Sequence, residues 1–127
     1  MQQRNFTFQS EDGTAIYVYH WSPEEETPIR GVVQIAHGMA ETAARYEGFA
    51  RALTAAGYRV YANDHRGHGR TAGTLEKVGY LADSDGFQRL VEDVHKLSGI
   101  IREENPTLPL FLFGHSMGSF AAQRYIM

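Results

Sequence analysis

A chain of 127 residues that is 43% hydrophobic and 21% charged has the composition of one modest globular domain, which excludes a mostly disordered polypeptide. Twelve basic against 15 acidic residues leave a net charge of −3, and no stretch gathers Lys and Arg into a basic stripe, so nucleic acid is not an expected partner. Cysteine is absent, which excludes disulfides and thiolate metal sites and fits a reducing, cytoplasmic setting, and no run nears the ~20 apolar residues of a membrane span.

The opening residues Met1 to Phe6 lead into alternating sequence rather than an apolar core, so no signal peptide is expected. Asn5 to Gln9 and Ala15 to Trp21 alternate polar and apolar around Glu11-Asp12-Gly13, the pattern of a two-stranded hairpin closed by an Asp-Gly turn. Pro23 and the run Glu24-Glu25-Glu26 then read as a solvated loop. Three short apolar runs follow at intervals: Gly31 to Ala36, Tyr58 to Ala62 and Leu110 to Phe113. Their composition predicts strands buried on both faces. Between the first two, Tyr46, Phe49, Ala50 and Leu53 mark one face of a helix that stops at Gly57. Between the second and third, Phe87, Leu90, Val91, Val94, Leu97 and Ile101 keep helical spacing, with Ser84 placed to cap the start and Pro106 just past the end. A third helix is expected to begin near Ser119. Strands alternating with helices of this length imply right-handed crossovers and a mostly parallel sheet, an α/β fold.

In such sheets, ligands gather at the carboxyl ends of the strands, and three motifs fall there. Gly114-His115-Ser116-Met117-Gly118 is a G-x-S-x-G match that follows an apolar strand and precedes a helical pattern. That is the context of a nucleophile elbow, whose flanking positions must be glycine because side chains there would strike neighbouring elements. His37-Gly38-Met39 follows the first buried strand, where a backbone N–H can face the carbonyl oxygen of a substrate at Ser116. With Met117 supplying one donor of the oxyanion hole, Met39 is the expected second. His37 reads as a structural histidine bonding its own loop, too early in that loop to act as the base. The third motif, Asp64-His65-Arg66-Gly67-His68-Gly69-Arg70-Thr71, reads as tight turns whose charged side chains pair locally and support the floor of the site, not as a metal centre. His20, His95 and His115 read as structural or surface groups. No metal and no cofactor is expected.

The runs HGMAETAARYEGFARAL, YANDHRGHGRTAG and FGHSMGS resemble, in order and spacing, the monoglyceride lipase and lysophospholipase branch of the α/β-hydrolase superfamily. The resemblance spans nearly all of the chain, with Thr71 where family members often carry Ser. It implies that Ser116 is the nucleophile, that Met39 and Met117 are the oxyanion donors, and that the substrate is a small ester or a single-acyl lipid. The family runs to roughly twice this length, with its triad in the order nucleophile, acid, histidine. Every Asp and His here precedes Ser116, so none matches those positions, and the expectation is an N-terminal half of one hydrolase domain (residues 1–127), inactive alone. The same resemblance implies an apolar strand, Leu110 to Phe113, with an open edge that seeks a partner chain or a second copy. The alternatives are a thioesterase on the same fold and a catalytically dead module kept for binding or structure.

Overall fold

The computed structural model describes residues 1–38, 42–66, 86–115, 118 and 121–123. The hairpin forms as its alternation predicts: β1 (Gln2–Gln9) pairs antiparallel with β2 (Ala15–Ser22), in a register running from Gln2 opposite Ser22 to Gln9 opposite Ala15. Next come β3 (Gly31–Ala36), a 3-10 turn (Ala43–Tyr46), α1 (Glu47–Ala55), β4 (Tyr58–Asn63), α2 (Gly86–Glu104) and β5 (Leu110–Gly114). The first helix ends where Gly57 takes a φ of 95°, a left-handed conformation that glycine adopts without a Cβ penalty. The helix after β5 is seen at Gly118 and at 121–123, while Ser84, the expected cap, and Ser119 lie outside the described residues.

The five strands make one open sheet in the order β1-β2-β4-β3-β5. β3 is parallel to both β4 and β5, whereas β2 runs antiparallel to β4. The crossover strands are thus parallel, as the α/β pattern predicts, and the hairpin adds the antiparallel half. Alternation along each strand divides the core between two faces. Tyr19, Trp21, Val33, Ile35, Val60 and Ala62 pack on one face with Ala43 and Ala50, on the side of α1. Phe8, Ile16, Val18, Val32 and Tyr61 pack on the other with Leu97 and Ile101 of α2.

β3 and the second half of β4 are buried on both faces, as their composition predicts. β5 departs from that prediction. Its Leu110 and Leu112 lean on the α2 side, where Leu112 joins Leu90, Val91, Val94 and Ala121, but Phe111 and Phe113 point to the α1 side and remain 52% and 40% exposed. The reason is that composition reports hydrophobicity and not position. β5 is the terminal strand of the described sheet, where the rings of Phe49, Tyr46 and Tyr58 cover that face only in part.

Candidate active site at the carboxyl end of the parallel strands

β3, β4 and β5 all end on one side of the sheet, which brings the three motifs of the sequence together. Ser116, Met39 and Met117 themselves lie outside the described residues, and the structure defines the frame around them. β5 stops at Gly114, and the backbone is helical at Gly118, whose N–H donates to the His115 carbonyl at 3.0 Å. Strand therefore becomes helix within four residues. The turn rests on the end of β3: the His115 N–H donates to the Ala36 carbonyl at 3.2 Å. A Cβ at position 118 would sit 1.9 Å from the Ala36 oxygen and 2.6 Å from the His37 oxygen, both backbone atoms that no rotamer change can move. Glycine is required there by close approach, as the elbow motif demands.

The loop that leaves β3 is held by an interlock of two histidines. The His65 backbone N–H donates to His37 Nε2 at 2.9 Å, and the His37 Nδ1–H donates to the Gly38 carbonyl at 2.7 Å. In return His65 Nε2–H donates to the His37 carbonyl at 3.1 Å, with the rings 4.2 Å apart. Both side chains are fully buried. His37 thus bonds its own loop, as the sequence predicts, and also the loop after β4, which the sequence does not predict. Asp64 closes the same corner: its carboxylate accepts the Ala43 N–H at 2.7 Å, and its own N–H donates to the Tyr17 carbonyl at 2.9 Å.

For Arg66 the motif predicts local pairing; residues 67–71 of the motif lie outside the described residues, and the partners described for Arg66 come from remote elements. Nε and Nη2 donate to the two oxygens of Asp93 on α2 at 2.7 and 3.1 Å, while Nη1 and Nη2 donate to the two oxygens of Asp12 in the hairpin turn at 2.8 and 3.1 Å. Nη2 also donates to Ser10 Oγ at 2.9 Å, and Ser10 in turn donates to Asp12. A planar fork can serve two carboxylates at once, which a lysine cannot. The hydrogen bonds from Arg66 and Ser10 hold the Asp12 carboxyl well below the usual carboxylate range. Burial pushes the Asp93 carboxyl up, against the pull of Arg66. The motif is visible in the sequence but its partners are not, because Asp12 and Asp93 carry no local signal.

The other histidines that read as structural or surface groups include two far from this end. His20 stacks on Tyr61 at 3.9 Å and donates from Nδ1 to the Val60 carbonyl, with burial lowering its pKa. The Tyr61 hydroxyl donates to Glu104 at 2.6 Å and accepts from Asn105 at 3.1 Å, and burial together with Glu104 pushes it up to about 12. His95 is exposed on α2. Among the described residues, no three His, Asp or Glu side chains converge as metal ligands, and no helix is long and apolar enough to cross a membrane. An open depression of 280 Å³ lies beside the turn, lined by Arg45, Tyr46, Phe113 and His115.

Comparison with known proteins agrees with this frame. The family described as serine aminopeptidase, S33, matches residues 27–127. Monoacylglycerol lipase of Mycolicibacterium smegmatis is 46% identical over 112 residues, which are 88% of this chain and 37% of that protein. Human monoglyceride lipase is 37% identical over 111 residues, 87% of this chain and 34% of that protein. Among solved structures, a thermostable carboxyl esterase from Bacillus coagulans in complex with glycerol superposes with a TM-score of 0.88 at 37% identity, over 98% of this chain and 40% of that one. The chain thus spans between a third and two fifths of the length of these relatives. By the family match and the fold together, the chain belongs to the serine aminopeptidase S33 family of α/β-hydrolases and is similar to its monoglyceride lipases.

Proposed function

We propose that this chain is the nucleophile-bearing N-terminal part of a single hydrolase domain that cleaves carboxylic esters through an acyl-Ser116 intermediate. The observation that carries the reading is the turn at Gly118: a glycine forced by contact with the end of β3, one turn after a strand, with a serine two residues before it. Ser116 attacks the ester carbonyl, and the backbone N–H groups of Met39 and Met117 receive the oxyanion. The substrate class, esters of glycerol or glycerophospholipid with one acyl chain, follows from the likeness to monoglyceride lipases.

A serine hydroxyl needs a base to take its proton as the bond to carbon forms, and the buried histidines described here are committed elsewhere. His37 uses Nδ1 on its own Gly38 carbonyl and Nε2 on the His65 N–H, His65 holds the His37 carbonyl through Nε2 in a fully buried position, and His20 lies by Tyr61. The acid and the base are supplied from outside this chain, and so is the cover for the outer edge of β5, by a partner chain or a second copy. In serine proteases, losing the nucleophile–base unit lowers kcat by ~10⁶, which sets the scale of the deficit expected here.

The test is hydrolysis of p-nitrophenyl butyrate by the purified chain beside Ser116→Ala, with intact mass recorded before and after a fluorophosphonate probe. The expected result is no turnover and no labelling for either protein, and serine-dependent labelling once a polypeptide carrying the remaining acid and histidine is added. Labelling that persists in Ser116→Ala would overturn the assignment of the nucleophile.

A further inference from the structure

The loop after β3 leaves the sheet at Ala36, so strand pairing no longer holds it at the point where the reaction needs it fixed. Donors of an oxyanion hole act at about 2.7 to 3.1 Å, and a site loses most of its effect when its support is looser than about 0.5 Å. What fixes this loop is side-chain chemistry. Residues 37 and 38 offer two ring nitrogens and two carbonyls, and each of these four atoms is engaged either by His65 or within the pair.

The arrangement also determines the proton on the His37 ring. A backbone N–H can only donate, so Nε2, which faces the His65 amide, is bare, and the proton is on Nδ1. That is the tautomer the Gly38 carbonyl requires. His65 is in turn immobilised from both sides in the chain. Asp64 is bonded to Tyr17 and Ala43, and Arg66 spans the carboxylates of Asp12 and Asp93 with its side chain 1% exposed. Hydrogen bonds from the hairpin turn and from α2 thus reach Arg66, and its chain neighbour His65 carries the hold on to the loop that precedes Met39.

We propose that His65 is a positioning residue for the oxyanion loop and that the Arg66 fork is the anchor that keeps it in place. The proposal rests on the reading of Met39 as an oxyanion donor for its meaning, but its test does not require Ser116 to react. His65 touches no substrate atom; it acts through His37 and Gly38.

The experiment is proton-detected imidazole spectroscopy of the ¹⁵N-labelled chain. In the unaltered chain, His37 is expected as a single neutral ring protonated on Nδ1, with that proton protected from exchange with water. His65→Ala and Arg66→Met are each expected to speed its exchange about tenfold or more, in line with loosening of a local structural unit. His65→Gln, whose side-chain N–H reaches the same carbonyl, should restore protection. If Arg66→Met does not fold, Arg66→Lys, which keeps the charge and loses the fork, carries the comparison. Tyr61→Phe, which removes two hydrogen bonds at the opposite end of the sheet, should leave the His37 ring unchanged. A His37 ring that is a mixture of tautomers, an exchange rate indifferent to His65→Ala, or an equal acceleration by Tyr61→Phe would each overturn the proposal. Failure of fluorophosphonate labelling after the complementing polypeptide is added would instead bear on Ser116 alone.

Discussion

Two regions at the same sheet solve the problem of polar and apolar surface in opposite ways. At the carboxyl end of β3 and β4, His37, Asp64, His65 and Arg66 are all buried, and hydrogen bonds from several elements meet their charges and rings. At β5, two phenylalanines on the α1 side stay half exposed, with the rings of Tyr46, Phe49 and Tyr58 against them. Burying polar groups is unfavourable unless they are bonded, and in the first region the bonds described come from elements of this chain. An exposed aromatic pair on a terminal strand is surface of the kind that a folded protein uses for contact. The corner is therefore tied together by this chain's own elements, while β5 leaves apolar surface open.

The sharpest way to break this contrast is at the contact between the two regions. Gly118→Ala places a Cβ 1.9 Å from the Ala36 carbonyl oxygen, and the helix must move off β3 to admit it. A loss of about 4 kcal/mol is expected in urea unfolding, at the severe end of what single substitutions do. A loss below about 1 kcal/mol would show that the turn does not rest on β3 as described.

A smaller effect separates the charges within that corner. Asp12 has its pKa depressed in the folded state, so its contribution to stability is fully present above its unfolded value and is lost as pH falls toward the folded one. Asp12→Asn is expected to cost about 2 kcal/mol at neutral pH, the range for hydrogen bonds to a charged group, and the gap to the parent chain should narrow progressively as pH falls below about 5. Asp93, raised by burial, works in the opposite sense and shares Arg66 with Asp12, so the difference between the two proteins reports the Asp12–Arg66–Asp93 group as a unit. A gap that is constant with pH would remove the ion pair from the explanation.

The smallest change in stability is expected at β5. Replacing Phe111 and Phe113 with Ser should cost about 1 kcal/mol each, well short of a core phenylalanine, because each is only partly covered. The same pair of changes should lower the sedimentation coefficient or light-scattering mass of the chain at tens of micromolar if that face mediates association. Stability lost on the scale of a core phenylalanine would place β5 inside the buried region instead.

Much of this is legible in the residues, and the parts that are not share a cause. The hairpin, the three crossover strands and both helices follow from periods of 2 and 3.6 that any neighbour would respect. The glycine at 118 is legible because a steric rule ties it to its own motif. What escapes the sequence is whatever depends on elements far apart in the chain. Arg66 looks like a partner for its neighbours, yet it reaches Asp12 in the hairpin and Asp93 on α2. His37 looks self-contained, yet His65 completes it. Phe111 and Phe113 look like core, and only their place at the end of the strand order leaves them exposed. For Ser116, Met39 and Met117 the motif remains the guide, and the structure supplies the frame in which they sit.

The register of the sheet carries a consequence in time. β1 and β2 meet across a short turn, but β5 docks by pairing Leu110 with Val32, after the whole of β4 and α2 has been made. Closing so long a loop is entropically unfavourable until neighbouring contacts exist, so the hairpin is early and the serine-bearing turn is late. During synthesis on a ribosome, the residues of the corner around His37, Asp64 and Arg66 emerge before the turn at Gly118 that rests on it.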